Sequence, residues 1–249
     1  MKDKIIVKIC SYGDKFSNTH LVNVFNKNLL LQNWWQGLLF FLHYSFYQGR
    51  RDTISIKVEN AAMQVLNKYI KGVNENELLH LKKDKFHNLR EDLKQVIGKG
   101  KIGRGRDIQM IISILDFVCN LEEKNLTKHS LNKIKDDRIE DHYNELQEII
   151  SIGPKITSLY FRDLICLYSL EKHLSKEDLV FCQPIDTWLR KVVYKIGIIS
   201  DIKMKDLNVR EKIVEACLRL NVSPIKFNQG AWYVGYYSFD IVLENLDKI

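Results

Sequence analysis

One lysine and one aspartate, Lys155 and Asp186, have residue types and settings that suit catalysis. Lys155 follows Gly153-Pro154, and proline suits the first position of a helix, so we expect a helix to begin near Pro154. The positive end of the helix dipole and partial burial both disfavour a charged ammonium, which favours a free amine that can act as a nucleophile. Asp186 precedes Thr187 at a second expected helix start. Its carboxylate is able to stabilise a developing positive charge and to assist proton transfer.

Two short amphipathic segments are predicted to position Lys155. Leu146, Ile149 and Ile150 have helical spacing before the turn, and apolar spacing resumes at Ile156, Leu159, Tyr160 and Leu164 after it. The residues Ser151-Ile152-Gly153 predict a tight turn between them, in which we expect Gly153 to adopt backbone angles that other residues avoid. Residues 146–164 are therefore predicted to form two helices joined by a hairpin.

This segment resembles the helix-hairpin-helix motif, and with Gln183-Pro-Ile-Asp186-Thr it resembles the helix-hairpin-helix DNA glycosylase superfamily. The resemblance covers roughly residues 30–245 and is strongest in 146–195. It implies that Ser151, Ile152 and Gly153 present backbone N–H groups to a DNA phosphate. It also implies that Lys155 attacks the sugar C1′ as a damaged base departs, and that Asp186 is the essential aspartate. The expected activity is base excision from double-stranded DNA with strand cleavage by an associated lyase step.

Simpler roles remain open for both residues and for the whole chain. Lys155 could contact only a phosphate, and Asp186 could serve only as the N-cap of the helix after it. At the level of function, the alternatives are a non-catalytic helix-hairpin-helix protein that binds DNA and a helical module that binds other proteins. Only the module would lack a salt-sensitive affinity for DNA.

The chain departs from the family pattern at three places. Ser151 replaces the usual first glycine of the hairpin, and Trp188 stands where histidine commonly follows Asp-Thr. The interval between Lys155 and Asp186 is also longer than the family leads us to expect, with the excess in the polar run 171–178. A surface insertion or an added turn there would leave the site possible.

Composition agrees with a helical protein that has a polyanionic partner. The 249 residues carry a formal net charge of +7, and only 3 prolines and 12 glycines interrupt a chain that is 45% hydrophobic. We therefore predict an all-α fold. Two helical subdomains are expected to flank a DNA-binding cleft, one comprising 32–170 and the other combining 1–31 with 171–249.

The N-terminus has no signal-peptide pattern, and no apolar run reaches membrane-spanning length. We expect no membrane partner, a cytoplasmic protein that would be nucleoid-associated in a prokaryote, and a monomer.

A basic loop provides further expected contacts with the DNA backbone. Lys99, Lys101, Arg104 and Arg106 lie in a glycine-rich stretch without acidic residues, which suits phosphates, although a solvated loop without a ligand is nearly as good an interpretation. The same stretch contains G-x-G-x-x-G. We reject a dinucleotide site because the preceding residues 89–97 predict a helix and not a strand.

Aromatic residues are candidates for a base pocket, because a base taken out of the duplex needs flat side chains around it. The resemblance places Tyr47 and Gln48 near the duplex, and Trp232, Tyr236 and Phe239 on a late helix that lines the pocket. Such a stripe is also typical of a helical core.

No metal site or cofactor is predicted. The five cysteines are scattered without a Cys-x-x-Cys pair, so we expect no disulfide framework, zinc site or iron–sulfur cluster. Cys166 and Cys217 are expected in the core. His43, His87 and His142 lack metal-ligand spacing and are taken as structural or exposed. A structural monovalent cation at the hairpin is the one ion that stays possible.

The periodicity predicts helices over most of the chain, and only residues 4–9 are strand-like. The predicted helices are 18–31, 34–47, one beginning at Glu59 or Asn60, 75–81, 86–97, 106–121, 131–150, 187–196, 209–220 and 231–247.

Overall fold

A computed structural model describes residues 2–71, 74–98 and 101–244, with side chains placed at 3–71, 74–98 and 101–237. The regular structure of the described residues is helical and contains no strand, which confirms the predicted all-α class. The helices are α1 (Lys2–Ser17), α2 (Lys27–Gln32), α3 (Trp34–Ser45), α4 (Asp52–Tyr69), α5 (Glu75–Lys83), α6 (His87–Ile97), α7 (Gly105–Asn120), α8 (Leu126–Lys135), α9 (Ile139–Gln147), α10 (Pro154–Tyr168), α11 (Lys176–Phe181), α12 (Thr187–Lys195), α13 (Asp206–Arg219) and α14 (Pro224–Glu244).

The chain divides into two compact units, which we call the central unit and the terminal unit. The central unit comprises Lys27–Thr157, and the terminal unit combines Met1–Asn26 with Ser158–Ile249. The sequence placed these boundaries at 31/32 and 170/171. The second boundary instead falls inside α10, so Lys155 belongs to the central unit and Asp186 to the terminal unit.

In the central unit, apolar faces of α3 to α9 pack on one another. α3 pairs with α2 and α8, α4 with α6, and α7 with α5 and α6. Phe40, Phe41, Ile111 and Leu115 are fully buried in this core. α3 is apolar around most of its circumference, and it is accordingly buried on most sides.

In the terminal unit, α1 packs along α14, and α12 and α13 complete the core. Two glycines allow the backbones of α1 and α14 to approach closely. A Cβ atom at Gly13 would lie 2.2 Å from the carbonyl oxygen of Lys226, and one at Gly230 would lie 2.0 Å from that of Ile9. Neither position can accept a side chain without separating the two helices.

This packing explains why the strand-like interpretation of residues 4–9 is wrong. The β-branched run there favours a strand locally, but the residues lie in α1, where Ile6 and Ile9 are buried in the terminal core. Tertiary burial outweighs local propensity, which differs among residues by only about 1 kcal/mol.

Several predicted helix boundaries also need correction. The predicted helix 131–150 is two helices, α8 and α9, because Asp137 has a left-handed φ of +56° between them. The predicted helix 18–31 is two separate pieces, a single π turn (Asn18–Val22) and α2. α4 begins at Asp52, not near residue 60. α13 begins at Asp206 and α14 at Pro224, both earlier than predicted.

Among the described residues, no helix combines the length and the apolar character needed to cross a membrane.

Candidate active site

The turn before Lys155 takes its shape from Ser151. Ser151 has a φ of +67°, whereas Gly153 is not among the residues with positive φ. The expectation that Gly153 supplies the unusual backbone angles is therefore wrong, and a serine adopts the left-handed conformation instead. The turn is closed by a hydrogen bond from the Ile152 N–H to the Ile149 carbonyl, at 3.0 Å. The Ile150 N–H donates to Ser113 Oγ on α7 at 3.1 Å, which fixes the turn within the central unit.

Two backbone N–H groups of this turn are available to a ligand. The N–H groups of Ser151 and Gly153 donate no hydrogen bond to any residue that the structure describes. A Cβ atom added at Gly153 would meet no atom within 4 Å, so the space beside this residue is open. Because the turn leads directly into the N-terminus of α10, its open N–H groups and the helix dipole both favour an anion.

Lys155 lies in the first turn of α10, as the sequence predicts, and its side chain is half-buried. Its Nζ donates to the main-chain carbonyl of Tyr47 at 3.4 Å, just beyond the end of α3. The Tyr143 hydroxyl donates to the Pro154 carbonyl at 3.3 Å and braces the start of α10 against α9. Within the described part of the chain, Lys155 has no ion-pair partner. Its amine is thus held by one weak contact and is not neutralised by a carboxylate.

Asp186 is the N-cap residue of α12. Its backbone is extended, with φ −119° and ψ −179°, and its Oδ1 accepts from the Leu189 N–H at 2.8 Å. The capping role that the sequence allowed is therefore present. Oδ2 has no hydrogen-bond partner among the residues that the structure describes, and the residue is only partly buried. One carboxylate oxygen fixes the side chain, and the other is uncommitted.

A buried polar network supports the segment that leads to Asp186. On α10, Arg162 and Asp163 form a doubly hydrogen-bonded ion pair, with both contacts at 2.8 Å and both side chains at most 2% exposed. Asn228 on α14 accepts from Arg162 at 3.0 Å and donates to Gln183 at 3.0 Å. Gln229 donates to Asp163 at 2.9 Å. Since Gln183 lies three residues before Asp186, the network anchors this segment to α10 and α14.

Sequence reasoning missed this network. Adjacent Arg162 and Asp163 inside the apolar stretch Tyr160–Leu167 were the available signal, because charged residues are almost never fully buried unless they are paired. Their partners lie up to 66 positions away along the chain. No local pattern indicates such contacts.

Comparisons with protein-family models, curated proteins and solved structures found no match to this chain. Its function must therefore be inferred from the geometry of its own residues.

The position of Trp188, where histidine is usual in the glycosylase pattern, has a structural explanation within the terminal unit. A Cβ atom at Gly235 on α14 would lie 2.8 Å from the Trp188 Cβ, so α12 and α14 approach closely at this pair. The Lys191 amine lies 4.9 Å from the centre of the indole ring. Trp188 is therefore part of the contact that holds α12, and thus the helix that Asp186 caps, on α14.

The long interval between Lys155 and Asp186 contains added helical structure. A 3-10 turn (Glu171–His173) and α11 follow α10, and Ser175 and Asp178 cap α11 reciprocally. The Glu171 carboxylate accepts from the Ser223 hydroxyl and from the Ile225 N–H at the start of α14. The excess length is thus an ordered connection of the terminal unit, in agreement with the extra turn that the sequence required.

The basic loop precedes α7 and is closely packed at one end. Lys101, Arg104 and Arg106 are exposed, while Lys99 lies outside the described residues. Asp107 accepts from the Arg104 N–H at 2.7 Å and forms a buried two-bond ion pair with Arg50. The loop is preceded by the helix α6 and not by the strand that a dinucleotide-binding fingerprint needs.

The candidate base-pocket residues fall into two groups, one in each unit. Gln48 donates to the Ser45 carbonyl at 2.7 Å, and its neighbour Tyr47 is half-buried. Trp232 and Tyr236 stack, with ring centroids 4.9 Å apart and planes 9° apart, and Tyr236 is 43% exposed. The side chain of Phe239 lies outside the described residues. The stacked pair has an accessible aromatic surface, whereas Gln48 is committed to main-chain and Met110 contacts.

Burial disfavours the reactive thiolate form of the five cysteines. All are free thiols, and burial raises the pKa of Cys10 to about 12 and that of Cys119 to about 11. Burial also raises the pKa of Cys166, Cys182 and Cys217. Because the thiolate is the reactive form, the raised pKa values disfavour a nucleophilic role for these side chains near neutral pH. Cys217 lies in the core as expected, and Cys166 is only partly buried.

Proposed function

We propose that the protein is a DNA N-glycosylase with an associated lyase activity, which removes a damaged base from double-stranded DNA. The observation that carries this proposal is the amine of Lys155. It lies in the first turn of α10, directly after a turn with open N–H groups, and forms no ion pair among the described residues. The open N–H groups of the turn beside this amine suit a phosphate, which supports a role for Lys155 at a DNA backbone.

In the proposed reaction, the turn and the basic loop bind phosphates, and Lys155 attacks the sugar. Its Nζ forms a bond to C1′ while the bond from C1′ to the base breaks, and the departing base takes the bonding electrons and a proton. Loss of the amine proton and opening of the sugar ring give a Schiff base. Removal of a C2′ proton then expels the 3′ phosphate by β-elimination. The strand is thereby cleaved, and hydrolysis of the imine releases the enzyme.

Asp186 supports the same reaction through its uncommitted oxygen. Positive charge develops on the sugar as the base departs, and a fixed carboxylate stabilises that charge without having to reorganise. The buried Arg162 network and the cap to Leu189 supply the fixation. The helix-hairpin-helix identity of residues 146–164 and the DNA-binding cleft stay predictions and are part of this proposal.

Borohydride trapping tests the proposal. The protein is incubated with duplexes that carry an abasic site, an oxidised base or a deaminated base, and borohydride is added to reduce any imine to a stable covalent adduct. We expect an adduct with the intact protein and none with Lys155→Ala. The matched control is Lys176→Ala, which removes another lysine from a helix start and should leave the adduct unchanged.

The outcome also separates the alternative functions. Salt-sensitive DNA binding without an adduct on any duplex would favour a non-catalytic DNA-binding protein. The absence of both would favour a protein-interaction module.

A further inference from the structure

A cluster of potential metal ligands lies between α8 and α9, in the central unit. It comprises His129 on α8 with His142 and Glu145 on α9, and one ligand atom from each lies within 4.8 Å of the other two. His142 Nδ1 is 2.8 Å from Glu145 Oε2, and His129 Nε2 is 3.4 Å from the same oxygen. Sequence spacing does not indicate the cluster, because His129 lies on a different helix from His142 and Glu145.

The residue types match the ligands of a borderline transition metal. Two imidazoles and one carboxylate are a set used for Zn²⁺, which commonly takes three protein ligands and a water molecule. His142 and Glu145 are three positions apart on one helix and therefore share a face. His142 is fully buried, while His129 and Glu145 are partly exposed, so the cluster has an ordered base and an open side.

The far nitrogen of His142 has the partner that a metal-bound histidine normally has. His142 Nε2 lies 2.8 Å from Ser130 Oγ, and the Ser130 hydroxyl donates to the Leu126 carbonyl at 2.8 Å. With its proton directed to Leu126, Ser130 accepts from an Nε2–H group, and in the neutral imidazole Nδ1 then carries the lone pair. That lone pair faces the Glu145 carboxylate at 2.8 Å, so a cation placed between these two atoms would be coordinated by both. A hydrogen bond on the far nitrogen orients a ligating imidazole.

We propose that His129, His142 and Glu145 bind a divalent transition metal ion of the Zn²⁺ type, which fastens α8 to α9. The ion would be coordinated by His129 Nε2, His142 Nδ1 and a Glu145 carboxylate oxygen, with water completing the shell. Because α9 leads into the turn before Lys155, the ion would stabilise the support of that turn. It takes no part in the proposed chemistry at Lys155, so the two proposals can fail independently.

One positive charge lies close to the cluster. Lys133 Nζ is 4.0 Å from Glu145 Oε2, and its charge would weaken the affinity for a cation.

The test uses the full-length protein after dialysis against a chelator. Co²⁺ is titrated as a spectroscopic probe, and Zn²⁺ binding is measured by calorimetry and by its effect on the melting temperature. We expect one ion per chain, a visible ligand-field band with Co²⁺ and a melting temperature that rises with Zn²⁺ concentration.

His129→Ala and Glu145→Gln change partly exposed side chains and should fold, which circular dichroism checks. Loss of a residue that only hydrogen-bonds a metal ligand weakens metal affinity by about 10- to 100-fold. Because His129 and Glu145 are proposed as ligands themselves, each of these two changes should weaken the affinity by more than that. His87→Ala removes an exposed histidine of α6 and should bind like the unchanged protein. The proposal is overturned if the unchanged protein binds neither ion. Equal affinities in His129→Ala, Glu145→Gln and His87→Ala would assign any binding to another place and would also overturn it.

Discussion

The starts of α10 and α12 carry opposite charges, and they differ in how well stability explains them. Asp186 begins α12 as an N-cap, where a carboxylate is favourable and accepts a backbone hydrogen bond. Lys155 lies in the first turn of α10, where a cation is unfavourable, and among the described residues its amine has one hydrogen bond, a 3.4 Å contact to a carbonyl. Asp186 would therefore be expected even in a protein without catalytic activity. Lysines also begin α2 and α11, so Lys155 is distinguished by the turn with open N–H groups that precedes it.

The supports of the two residues also differ. The segment before Asp186 is anchored by a buried network of side chains from α10 and α14. The turn before Lys155 is held mainly by backbone hydrogen bonds and by Ser113. Damage to the first support should therefore affect the fold, while changes in the second should affect chiefly the function.

The largest expected effect on stability follows from Arg162→Ala. This change leaves the buried Asp163 carboxylate without its ion-pair partner, and breaking such a pair costs about 3–5 kcal/mol. Chemical denaturation should show this loss in the free energy of unfolding. Arg219→Ala breaks an exposed pair with Asp3 and should cost about 0–1 kcal/mol. Equal losses in the two variants would show that the network does not anchor the terminal unit.

Asp186→Asn separates the catalytic role of this residue from its capping role. Asparagine caps a helix about as well as aspartate, so the free energy of unfolding should change by less than about 0.5 kcal/mol. The rate of base excision under single-turnover conditions should fall by at least about 100-fold, because the charge is lost. Asp186→Ala should show the same fall in excision rate, and its free energy of unfolding should also fall by about 1 kcal/mol because the cap is lost. An excision rate in Asp186→Asn equal to that of the unchanged protein would leave Asp186 with the capping role alone.

Two glycine changes in the turn should have smaller effects, on different properties. Ser151→Gly relieves a left-handed serine and should stabilise the protein by up to about 1 kcal/mol. Gly153→Ala meets no clash and should fold normally, but its methyl group would obstruct a phosphate at the turn. Thermal melts and salt-dependent DNA titrations measure the two effects. Unchanged DNA affinity in Gly153→Ala would remove the turn from the DNA-binding surface.

The sequence predicted those features that depend on neighbouring residues. The all-α class, the positions of α3, α5, α6, α7 and α12, and the capping position of Asp186 follow from periodicity and from local helix signals. The start of α1 was missed because Ile5, Ile6 and Val7 favour a strand locally, and the packing of α1 on α14, which buries Ile6 and Ile9, outweighs that preference. The break between α8 and α9 was missed because the left-handed Asp137 carries no glycine signal.

The candidate site was predictable only in part, for the same reason. Lys155 and Asp186 are near local signals, namely Gly153-Pro154 and a helix start. The Arg162 network and the cluster of His129, His142 and Glu145 join different helices. Their existence depends on how the helices pack, which single-sequence patterns do not determine.

Identification of the trapped residue tests the central claim most directly. After borohydride reduction with a damaged duplex, the adduct is digested with a nuclease and a protease, and mass spectrometry locates the remaining sugar fragment. We predict that the fragment is attached to Nζ of Lys155 within the peptide that follows the turn. Attachment to another lysine or to the terminal amine, with Lys155 unmodified, would contradict the account.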